Sequence, residues 1–72
     1  MTFAAYMTAV ETKTGMPIAA LLALAETKGF AVAGRAAPGV KAAQVIDWLA
    51  ADYGMGRGHA MAVWAVLQGK TA

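Results

Sequence analysis

Gly54-Met55-Gly56-Arg57-Gly58-His59-Ala60 runs directly into Met61-Ala62-Val63-Trp64-Ala65-Val66-Leu67. This is a glycine-rich turn followed by an apolar helix, and the only histidine of the chain stands where that helix begins. Glycine tolerates positive φ and lets a backbone approach another group closely. The first turn of a helix has unpaired N–H donors and carries the positive end of the helix dipole. A turn of this kind is therefore a candidate anion site, made of Gly54, Gly56, Arg57, Gly58 and His59. Arg35 and Lys41 are candidate supporting charges. The same stretch also reads as a plain connector, with Gly54 ending one helix and Gly56 and Gly58 leading into the next.

Outward from the turn, helices are expected near residues 3–14, 17–28, 41–53 and 58–68, with a loop over 30–39. Thr2 is an N-cap type, and Phe3, Tyr6, Met7 and Val10 share one face at helical spacing. Gly15 ends that helix and Pro17 suits the first position of the next. The short link makes the first two helices antiparallel neighbours. Ile18, Leu21, Leu22 and Ala25 form the inner face of the second helix. Gly29 ends it, with Phe30 folding back as the apolar residue after the cap. Gly34 and Pro38-Gly39 are turn signals, and Arg35 reads as a solvated loop charge. In the third helix Ala42, Val45, Ile46, Leu49 and Tyr53 face inward. Trp48 lies beside them with an indole N–H that needs a partner. The fourth helix is apolar most of the way round, which makes it central to a bundle or packed on a second subunit. Gly69 caps it, and residues 70–72 are expected to fray. The fold class is all-α: four short helices in a compact bundle, the last two joined by the glycine turn.

Composition narrows the function. The 72 residues make a single domain with a small core. There is no cysteine, one histidine and four acids, so neither a disulfide framework nor a classical metal centre is expected, and no cofactor is implied. Only 14% of residues are charged, against roughly 25% in ordinary soluble domains. So charge-poor a surface suggests a homodimer. The net charge of +2 is too mild to imply nucleic acid by itself. No apolar run reaches the roughly 18 residues of a membrane span and no signal peptide is evident, so the expectation is a cytoplasmic protein with no membrane role. Serine is also absent, and Asp47 and Asp52 lie on different sides of their helix, so the chain does not read as an enzyme.

Two resemblances add to this. Gly54-Met55-Gly56-Arg57-Gly58-His59-Ala60 resembles the hairpin of helix-hairpin-helix motifs, whose backbone N–H groups hold DNA phosphates without reading sequence. That likeness implies nucleic acid or phosphate as a ligand. Over roughly Phe3 to Gly69, a longer series resembles the bacterial family called domain of unknown function 4287. It comprises Glu11-x-Lys13-Thr14-Gly15, Leu24-Ala25-x-x-Lys28-Gly29, Pro38-Gly39-Val40-Lys41-Ala42, Ile46-x-Trp48-Leu49 and Asp52 to Ala60. The chain departs from that family at Ala19 to Ala23, where relatives carry more charge. The family implies a fold but no activity. The function expected is a small binding module for phosphate or a nucleic-acid backbone. The alternative is a structural protein that self-associates.

Overall fold

The computed structural model describes residues 2–70. In chain order the elements are α1 (Phe3–Thr14), α2 (Ile18–Thr27), β1 (Ala31–Val32), β2 (Arg35–Ala36), α3 (Ala42–Tyr53) and α4 (Arg57–Leu67). The four expected helices are all present, with ends shifted by no more than a residue or two. Pro17 precedes α2 as its N-cap residue instead of opening the helix.

The sequence punctuation explains the helix ends. Thr2 Oγ1 accepts the Ala5 N–H at 3.2 Å and so caps α1. After α2, Gly29 N–H donates to the Glu26 carbonyl and Phe30 N–H to the Ala25 carbonyl, with Gly29 at φ +84°. This is the paired closing pattern of a left-handed cap, with the apolar Phe30 folding back onto the protein. Gly69 and Lys70 repeat it after α4, donating to the Val66 and Ala65 carbonyls. The fraying expected for residues 70–72 falls mainly on Thr71 and Ala72, which lie outside the described residues.

The stretch 30–39 is a correction to the expected loop. Within it, β1 and β2 pair antiparallel, with Ala31 opposite Ala36 and Val32 opposite Arg35. Ala33 and Gly34 make the turn at φ 53° and 78°. A two-residue turn with both φ values positive matches strand twist, but it usually draws asparagine and glycine. Alanine in the first place conceals it.

The core joins Val10 of α1, Leu21 and Ala25 of α2, Ala31 of β1, Val45, Ile46, Trp48 and Leu49 of α3, and Ala60, Val63 and Leu67 of α4. Helix α4 packs against α1, α3 and β2, while α2 packs on α1 and β1. This central position accounts for the all-round apolar character of α4: Ala62 is buried and Ala65 half-buried, although they stand away from the main stripe. In α2, Leu21 is buried and Leu22 half-buried, while Ala19 and Ala23 are exposed.

Candidate functional site

The turn between α3 and α4 is only Gly54-Met55-Gly56, because Arg57 and Gly58 already belong to α4. Gly54 adopts φ +61°, and its N–H closes α3 on the Ala50 carbonyl at 3.0 Å. Met55 is buried and pins the turn to the core, an anchor that the sequence reading did not assign. Gly56 has an ordinary φ of −68°, and Gly58 is helical. Of the three glycines, then, only Gly54 is demanded by backbone conformation. A Cβ at Gly56 would meet nothing within 4 Å, so sterics do not require glycine there either.

The first-turn amides of α4, like those of α3, are not taken by a side chain, whereas α1 and α2 each have one that is. At α1 the Thr2 hydroxyl accepts an N–H. At α2 the Glu11 carboxylate accepts the Ile18 N–H at 2.9 Å. At α3 the Gln44 side chain reaches back to the Lys41 N–H at 2.8 Å. No side chain caps α4, and its first internal bond is Ala60 N–H to the Gly56 carbonyl at 3.0 Å. The N–H groups of Arg57, Gly58 and His59 thus have no protein acceptor among the described residues. No acidic side chain stands in that first turn.

Two charged or polar side chains flank these donors. Arg57 is exposed and has no carboxylate partner among the described residues. His59 is half-buried and packs edge-on against Tyr6 of α1, with ring centroids 5.2 Å apart and planes at 67°. The Tyr6 ring also lies over Gly58, where a Cβ would stand 3.8 Å from its Cε1. The sequence placed Tyr6 on the core face of α1 and gave no sign that it borders the glycine turn.

Arg35 and Lys41 are not brought to this turn. The Arg35 guanidinium lies on Gly69, past the opposite end of α4, so close that a Cβ on Gly69 would be 2.8 Å from Nη1. A cation suits that end, where the helix dipole is negative. Lys41 precedes the first residue of α3, whereas Gly54 follows its last, about 20 Å away along the helix at 1.5 Å per residue. The structure therefore assembles Gly54, Gly56, Arg57, Gly58 and His59 in one place and leaves the two supporting charges elsewhere.

The family model described as Domain of unknown function (DUF4287) matches residues 2–69. The chain belongs to the DUF4287 family. No curated protein and no solved structure matches it. Among the described residues this DUF4287 chain has no group of three or more metal-ligating side chains. No helix among the described residues is long and apolar enough to cross a membrane.

Proposed function

We propose that this DUF4287 chain is a small non-enzymatic binding module of the cytoplasm, and that it holds phosphate groups at the N-terminus of α4. The nucleic-acid backbone is the ligand we favour. The observation that carries the reading is the bare start of α4, whose first-turn amides lack both a capping side chain and a nearby acid. Unpaired amides and the positive helix end attract an anion, and the exposed Arg57 supplies a full charge beside them. His59, whose ring packs against Tyr6, belongs to the same first turn. Contacts of this kind bind phosphate without reading bases, so affinity falls with salt and is indifferent to sequence. Arg35 and Lys41 have no part in the contact.

The test is binding of a labelled short DNA duplex by the protein and by Arg57→Ala, each at low and moderate salt. The reading expects salt-sensitive binding that weakens in Arg57→Ala with a shallower salt slope. Equal binding by the two proteins, or none by either, overturns it.

A second reading, self-association, draws on the exposed apolar side chains Leu24, Val32 and Met61, of which Val32 is 60% exposed. Sedimentation across a range of concentrations tests it, and a strictly monomeric species at high concentration removes it.

A further inference from the structure

Residues 18–37, comprising α2 and the β1–β2 hairpin, form a unit tied together by its own hydrogen bonds. Phe30 N–H donates to the Ala25 carbonyl, Ala37 N–H to the Phe30 carbonyl, and Ala33 N–H to the Glu26 carboxylate. The unit is bracketed by Gly15-Met16-Pro17 on one side and Pro38-Gly39 on the other, with Gly15 and Gly39 at φ +73° and +83°. Its edge lies on Trp48 of α3. The Phe30 ring is 5.7 Å from the Trp48 ring, centroid to centroid, and the Lys28 ammonium is 5.8 Å from the same ring. Lys28 also meets the Asp52 carboxylate at 3.5 Å.

We propose that residues 18–37 are a cover, seated on the core through Leu21, Ala25 and Ala31, tied to α1 through Ile18 on Glu11 and to the end of α4 through Arg35 on Gly69, and latched at its edge on Trp48 by Lys28 and Phe30, opening as one unit while α1, α3 and α4 stay folded together. The polar part of the latch is weak, because the Lys28 and Asp52 side chains are 42% and 47% exposed and such pairs are screened. The closed form also carries an unpaired donor: Trp48 is 7% exposed, and its Nε1–H is buried with no acceptor among the described residues. Opening lets water reach that N–H, which offsets part of the cost of separating apolar surface. Sub-global opening of a contiguous unit is an ordinary property of folded domains. The open form presents the Trp48 face and its N–H to solvent or to a partner. This inference is independent of the anion reading.

Hydrogen exchange resolved by NMR tests it. In the wild type, amides of α2 and the hairpin should share one exchange level with the Trp48 Nε1–H, faster than the amides around Leu49 and Val63. Lys28→Ala should speed the exchange of residues 18–37 roughly two- to fivefold, the scale of an exposed ion pair with a cation–π contact. Tyr6→Leu weakens the α1–α4 contact, which persists in the open form. It should speed exchange in α3 and α4 while leaving residues 18–37 unchanged. A single exchange level across all elements in the wild type overturns the proposal. So does an equal response of the cover and of α3–α4 to Tyr6→Leu.

Discussion

Tyr6 and His59, far apart in sequence, meet edge to face with ring centroids 5.2 Å apart. The contact joins the start of α1 to the first turn of α4, where the unpaired amides lie. Aromatic pairs of this kind contribute about 0.5–1.5 kcal/mol beyond their buried area. We expect Tyr6→Leu to lower stability by about 1 kcal/mol, read from urea unfolding. It should also shift the His59 ring proton resonances as the Tyr6 ring current is lost.

The glycines separate by substitution. Gly54 needs its positive φ, so Gly54→Ala should cost about 1–2 kcal/mol. Gly58 is helical with ordinary contact distance to Tyr6, so Gly58→Ala should stabilise by up to about 1 kcal/mol. Thermal unfolding of the pair checks the opposite signs.

Gly56 stands at the N-cap with open space around it. Gly56→Asp should cap α4 and complement its dipole, stabilising by about 0.3–1 kcal/mol. The same carboxylate would occupy the amides and repel an anion. Higher thermal stability with loss of duplex binding is the expected pair of results in one variant.

Leu49 is fully buried in α3. Leu49→Ala should cost about 2–5 kcal/mol, a large share of the stability of so small a domain. Circular dichroism at room temperature should show a substantial unfolded fraction.

The helices were legible because each apolar stripe ends at a glycine whose backbone turns left-handed: Gly15, Gly29, Gly54 and Gly69. The hairpin was not, since Ala31–Ala36 is mostly alanine without clear alternation and Ala33 holds a conformation alanine seldom adopts. The chain segment of the candidate site was legible as local chemistry, while Tyr6 beside it came from packing that spacing cannot show. The distance of Lys41 was within reach of the sequence, because a residue that opens a helix cannot also stand at its end. Arg35 was not, because its place on Gly69 depends on how β2 meets α4.

The most direct measurement is an amide NMR titration with inorganic phosphate and, separately, a short DNA duplex, each at low and moderate salt. The account predicts shifts centred on Gly56, Arg57, Gly58 and His59 that fade as salt rises and leave Lys41 and Arg35 unmoved. Absence of shifts at low salt, or shifts centred away from the start of α4, would contradict it.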